Sequence, residues 1–157
     1  MKRIGIVDTS FARFDMAASA VHELRKLGGG FKVERYTVPG IKDLAAGSRI
    51  LFDRGCDLVI AVGMVGQQTV DKDCALAADF GLQLVQAQVG RHVIGVMVHE
   101  EEAPDDEKLA WLFDRRTREH AVNAYDLLFR PEAIRARAGT GQREGYADAG
   151  PLRVKVP

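Results

Sequence analysis

Four polar stretches hold most of the side chains in this chain that are fit to bind a ligand or move a proton: residues 8–13, 39–43, 63–71 and 99–104. With their immediate neighbours they offer Phe11, Phe14, Asp43, Gln67, Gln68, Asp71, Lys72, Asp73 and His99. An aromatic ring, backbone donors and several neutral or charged hydrogen-bonding groups suit a flat heterocycle carrying a polyol, and suit a phosphate less well.

The stretch Val38-Pro39-Gly40 reads as one wall of such a site. Pro39 fixes φ and biases Val38 to an extended conformation, so a strand stops there. Gly40 lets backbone approach a ligand closely, and the first N–H groups of a following helix are free to donate. Taken alone, the same tripeptide is also an ordinary strand-to-helix turn. Glu100, Glu101 and Glu102 offer oxygen ligands for a divalent cation, against the plainer reading of a solvated acidic loop.

Other chemistries find no support in the residues. No glycine-rich phosphate loop follows the first strand, where Asp8-Thr9-Ser10-Phe11-Ala12-Arg13 stands instead. There is no Gly-x-Ser-x-Gly elbow and no helical pair of zinc-spaced histidines. Asp57 lies at the near end of the third strand, whereas a phospho-acceptor belongs at the far end. Cys56 and Cys74 lack metal-ligand spacing and sit beside apolar residues, which predicts two buried thiols.

The elements that must position these loops alternate. An apolar run at residues 4–7 predicts a buried strand leading into a turn at residues 8–10. Met16, Ala17, Ala20, Val21 and Leu24 then fall at helical spacing behind an Asp15 N-cap. Residues 31–38 mix β-branched and aromatic residues with Lys32, Glu34 and Arg35, as a strand near a sheet edge does. A second amphipathic helix runs from Ile41 through Phe52 to Gly55. The unbroken run at residues 58–62 predicts a strand covered on both faces, followed by a flexible polar turn at residues 63–69. Ala75, Ala78, Leu82, Val85 and Val89 trace a third helix ending at Gly90, and residues 93–98 form a fourth strand. A long helix occupies residues 105–129, with Arg116 and His120 interrupting its apolar stripe. An inward cation and imidazole need a partner or a ligand, at a core rim, a subunit contact or a site. A short helix after Pro131 ends near Ala138.

Four strand–helix alternations call for a parallel sheet with helices on both faces, hence an α/β flavodoxin-like three-layer sandwich with a four-stranded parallel sheet. Ligands in such sheets bind beyond the carboxyl ends of the strands, where all four polar stretches fall. A chain of 157 residues makes one domain, here residues 1–138, and residues 139–157 form a tail too poor in apolar residues for its own core. Lys and Arg total 22, as do Asp and Glu. That balance gives no net field to draw nucleic acid or a membrane surface. With no signal peptide or membrane-length apolar run, a soluble cytoplasmic protein is expected.

Several blocks taken together resemble the archaeal type of riboflavin synthase, which is itself similar to lumazine synthase. They are residues 4–13, residues 36–44 (Tyr-Thr-Val-Pro-Gly-Ile-Lys-Asp-Leu), residues 55–61, Val98-His99-Glu100, Leu109-Ala110-Trp111-Leu112 and Asp148-Ala149-Gly150-Pro151. The resemblance implies the dismutation of two 6,7-dimethyl-8-ribityllumazine molecules per site to riboflavin and 5-amino-6-(ribitylamino)uracil. It calls for no redox cofactor and leaves room for Mg2+. It implies that Phe11 stacks on the ring, that Thr9, Val38 and Gly40 position ring edges, and that Asp43 binds ribityl hydroxyls. Gln67 and His120 are further substrate contacts, and His99, Asp71 and Lys72 are candidates for proton transfer. Lumazine synthase carries a histidine in the loop after the third strand. Residues 63–73 have none, which favours the riboflavin synthase branch. A homopentamer with sites at subunit contacts is also implied, with the tail packing on a neighbour.

Overall fold

The computed structural model describes residues 1–143, 147–154 and 156. Its elements run β1 (Lys2–Thr9), α1 (Met16–Leu27), β2 (Phe31–Val38), a 3-10 turn (Ile41–Asp43), α2 (Leu44–Asp53), β3 (Leu58–Val65), α3 (Thr69–Val89), β4 (Val93–His99), a second 3-10 turn (Glu100–Glu102), α4 (Asp106–Phe129) and α5 (Pro131–Arg137). The strands form one parallel sheet in the order β2-β1-β3-β4. Strand order reverses between β1 and β3, and the flavodoxin-like three-layer architecture follows.

Period-two alternation explains the layers. On β3 the side chains of Leu58, Ile60, Val62 and Met64 join Ile4 and Ile6 beneath α1 and α4. Val59, Ala61 and Val65 join Val7 beneath α2 and α3. Both faces are covered, so all eight residues of β3 are buried. Phe113 closes the first layer and Phe52 the second, each almost fully buried, and each stabilises the fold by roughly 1.5–3 kcal/mol relative to exposure. β2 is an edge strand with alternating exposure. Asp15 caps α1 by accepting from Ala18 N–H at 3.0 Å, and Gly90 ends α3 in the left-handed conformation that favours glycine.

Three local expectations change. Asp8 and Thr9 belong to β1 and are buried, because β2 runs alongside them to Val38. Gly63, Met64 and Val65 are strand rather than turn: they pair with Met97, Val98 and His99, and the turn shrinks to residues 66–68. The second helix opens with a 3-10 turn before α2 begins.

Of the thiols, Cys56 is buried as expected, and burial first, then Glu34, push it up to about 11. Cys74 is only half-buried, because it lies at a surface slot. Arg116 meets its inward cost by donating to Glu102 and to the Met97 carbonyl. Asp126, buried on α4, accepts from Arg130 and Arg137 and so anchors α5. In the tail, Ala149 N–H donates to the Gly141 carbonyl, while Leu152, Val154 and Val156 are exposed. The tail residues 144–146, 155 and 157 lie outside the described residues.

Candidate active site

At the carboxyl edge of the sheet a slot of about 170 Å³ is lined by Phe11, Gly40, Ile41, Lys42, Asp43, Met64, Gly66, Asp71 and Cys74. It sits at the β1/β3 switch point, as the topology requires. Phe11 is half-exposed on the β1–α1 loop and forms one wall. Its N–H donates to the Pro39 carbonyl at 3.2 Å, and Ser10 N–H donates to the Val38 carbonyl at 2.9 Å. Those bonds tie the aromatic wall to the Val-Pro-Gly wall. Ile41, Met64 and Cys74 supply apolar contact for a flat ring, while Lys42, Asp43 and Asp71 bring charge to its rim.

The two carboxylates differ in freedom. Asp43 stands at the start of α2 but makes no side-chain capping bond there. Asp71 accepts from Gln68 N–H at 3.0 Å through Oδ2, which holds the first turn of α3. Asp71 also lines the slot.

Several expected site residues do not line the slot. Thr9 is buried, and its hydroxyl oxygen accepts from Ala12 N–H at 3.3 Å, shaping the Phe11 loop. Val38 is buried below the loop and acts through its carbonyl. Gln67 is exposed on the β3–α3 turn and His120 is half-buried on α4. Lys72 pairs with Glu101 at 2.6 Å. His99 ends β4, and its N–H donates to Glu102 at 2.8 Å. Burial pushes the Asp79 carboxyl on α3 up, and the nearby His99 pulls it back.

The acidic triplet is exposed at Glu101 and Glu102, as the plainer reading expects, and each of its carboxylates is ion-paired. Glu100 takes Arg13 at 2.8 Å, Glu101 takes Lys72, and Glu102 takes both guanidinium ends of Arg116 at 2.8 Å. Three cations from three different elements therefore close on one turn. Among the described residues, no group of three or more His, Cys, Asp or Glu side chains is placed to hold a metal ion.

Of the residues singled out from the sequence, the slot gathers Phe11, Gly40, Asp43 and Asp71. Ile41, Lys42, Met64, Gly66 and Cys74 were not singled out. Lys42 and Ile41 adjoin Asp43 in the wall stretch, which was a usable signal. Met64 and Cys74 read only as apolar periodicity.

This chain matches the family described as 6,7-dimethyl-8-ribityllumazine synthase over residues 1–132. The chain belongs to that family. Among relatives, the riboflavin synthase of Methanothermobacter thermautotrophicus is 47% identical over 153 residues, covering 97% of this chain and 100% of the relative. The riboflavin synthase of Archaeoglobus fulgidus is 46% identical over 96% of this chain and 98% of its own length. That of Aeropyrum pernix is 44% identical over 97% and 99%. In this member of the family the slot with its apolar walls and charged rim stands at the switch point of the sheet.

Proposed function

We propose that this protein is a riboflavin synthase of the archaeal type, acting on two molecules of 6,7-dimethyl-8-ribityllumazine. One molecule passes a four-carbon unit to the other, giving riboflavin and 5-amino-6-(ribitylamino)uracil. The observation that carries this reading is the 47% identity to a protein named riboflavin synthase over 97% of the chain. The exchange is internally balanced, so it draws on no redox cofactor. The stretch at residues 63–73 contains no histidine, which supports this branch over lumazine synthase.

In this reading Phe11 stacks on a lumazine ring, Gly40 lets an edge of the ring approach backbone, and Asp43 takes ribityl hydroxyls with the carboxylate that α2 does not use. Holding two rings in register is mainly an orientation effect, able to supply up to roughly 7–11 kcal/mol. Proton removal from the activated 7-methyl group and its return fall to Asp71, the one of the three proton-transfer candidates that lines the slot. Lys72, paired with Glu101, and the His99 backbone N–H, which donates to Glu102, hold the loops around it, and Mg2+ is not required for any of these roles. Among the described residues no helix is long and apolar enough to cross a membrane, in keeping with a cytoplasmic enzyme.

A slot of about 170 Å³ is smaller than the roughly 300–1,000 Å³ usual for small-molecule sites, so one subunit encloses at most part of the substrate pair. Leu76, Phe80 and Leu84 stand 59%, 68% and 59% exposed at i, i+4 spacing on α3, with Val70 beside them. An apolar stripe of that kind beside a half-built site supports a homo-oligomer in which a neighbour completes the slot. A pentamer, with the tail packed on a neighbour, is the form we propose.

The test is to incubate the purified protein with 6,7-dimethyl-8-ribityllumazine alone and follow both products. Equal formation of riboflavin and the pyrimidinedione establishes the dismutation. Lumazine formed from the pyrimidinedione and a four-carbon phosphate would instead assign lumazine synthase activity. Tight binding without turnover would make the protein a lumazine- or flavin-binding module.

A further inference from the structure

The loop that carries Phe11 spans residues 10–14, between the end of β1 and the start of α1. At its first end Asp8 is buried, and both carboxylate oxygens are taken from β2: Oδ1 by the Thr37 hydroxyl at 2.6 Å, Oδ2 by Arg35. At its far end Asp15 caps α1 and also pairs with Arg35, at 3.1 Å through Oδ1. A single guanidinium thus reaches a carboxylate at each end of the loop. The planar fork of arginine can bridge two acceptors in this way, whereas lysine offers a point charge on a flexible stem.

We propose that Arg35 is a positioning residue for the reaction, closing the base of the Phe11 loop so that the aromatic wall is preset against the substrate ring. Other ties act on the body of the loop rather than on both its ends at once, among them Arg13 pairing with Glu100 and Asp106. Ala12 N–H meets Thr9 within the turn, and Ser10 and Phe11 lean on the β2–α2 wall through backbone. Fixing both ends shortens the free loop and reduces the ordering that binding would otherwise require of it. The effect belongs to ground-state binding, because Arg35 holds a surface that both substrate and product use.

This inference rests on the reading that Phe11 stacks on the ring, and the variants separate the two. Asp15→Asn keeps the cap of α1, since Asn caps about as well as Asp, while removing the ionic partner. Arg35→Lys keeps a charge beside Asp8 but not the bridge. Steady-state kinetics with 6,7-dimethyl-8-ribityllumazine, riboflavin binding by fluorescence titration and thermal melts are run on both, on Phe11→Ala, and on Phe11→Ala combined with Asp15→Asn. The expected result is a rise of about fivefold in KM and in the riboflavin Kd for each clasp variant, with little change in kcat or thermal midpoint. Phe11→Ala raises both constants, and adding Asp15→Asn to it raises them no further, because the clasp acts through the ring. Unchanged KM and Kd in the clasp variants, or additive effects in the combined variant, would overturn the proposal while the stacking reading stands. Unchanged constants in Phe11→Ala would remove the stacking reading and the clasp with it.

Discussion

The Cβ position of Gly63 points at Ile41: a methyl group there would come within 2.6 Å of the Ile41 Cγ2 and 3.3 Å of the Met97 sulfur. Because Ile41 lines the slot, a residue in the middle of the sheet sets the depth of the site without touching a ligand. Gly63→Ala should push Ile41 into the slot and raise KM about fivefold or more, with about 1–3 kcal/mol of overpacking showing in denaturant melts. A destabilised variant with unchanged KM would mean that Ile41 yields away from the slot.

Asp71 carries two duties that a conservative change can divide. Asn at this position still accepts from Gln68 N–H, so α3 keeps its first turn, but it no longer takes up a proton. Asp71→Asn is therefore expected to lower kcat by about 10²-fold or more while the thermal midpoint holds. Turnover near that of the unaltered enzyme would move proton transfer to another group.

Acid should loosen the cluster around the second 3-10 turn. Burial alone would raise the Glu102 carboxyl, but hydrogen bonds from Arg116 and His99 N–H, with their charges, hold it below its ordinary 4.5. Asp114 lies below its ordinary 3.8 chiefly through Arg118, with Ser19 assisting against burial. A carboxyl lowered on folding contributes stability that is present above its unfolded value and lost as pH falls through its folded value. Thermal midpoints should thus decline as pH drops below 4.5, and Glu102→Gln should flatten part of that decline. At neutral pH the same change costs about 1–3 kcal/mol. An equally steep acid limb in Glu102→Gln would place the linkage elsewhere.

The apolar stripe of α3 gives a direct check on assembly. Phe80→Glu puts a charge at the centre of the stripe, where burial against a neighbour would be costly. Sedimentation velocity should show smaller species than the unaltered protein at the same concentration, together with a higher KM if a neighbour completes the slot. An unchanged sedimentation coefficient would clear α3 of any part in the contact.

What the sequence disclosed follows from the range over which each signal acts. Layer assignment was legible because alternation on β3 and helical spacing on α1 and α4 are local patterns. The end of β3 was misjudged because Gly63 and Gly66 look like turn punctuation; in the fold Gly63 is a strand residue, glycine because Ile41 and Met97 leave no room. Phe11, Gly40, Asp43 and Asp71 could be placed together because parallel topology brings successive loops to one edge. Cys74 could not, since its place in the slot depends on the phase of α3 set by the Gln68–Asp71 cap. The partners of the acidic triplet were equally hidden, with Arg13 lying 87 positions from Glu100.

The layer beneath α1 is completed by Leu109, Phe113, Ala121 and Ala124 of α4, all from the last third of the chain. During synthesis the whole sheet can exist before α4 covers its share of the β3 and β4 surface of that layer, with α1 lying over part of β3 alone. Val96 and Val98, with the uncovered part of β3, would then face water on the emerging chain, and only the arrival of residues 106–129 seals them. A ribosome stalled once His99 has cleared the exit tunnel, with α4 still inside it, would hold a sticky half-sandwich, which makes this interval the point at which a chaperone has most to protect.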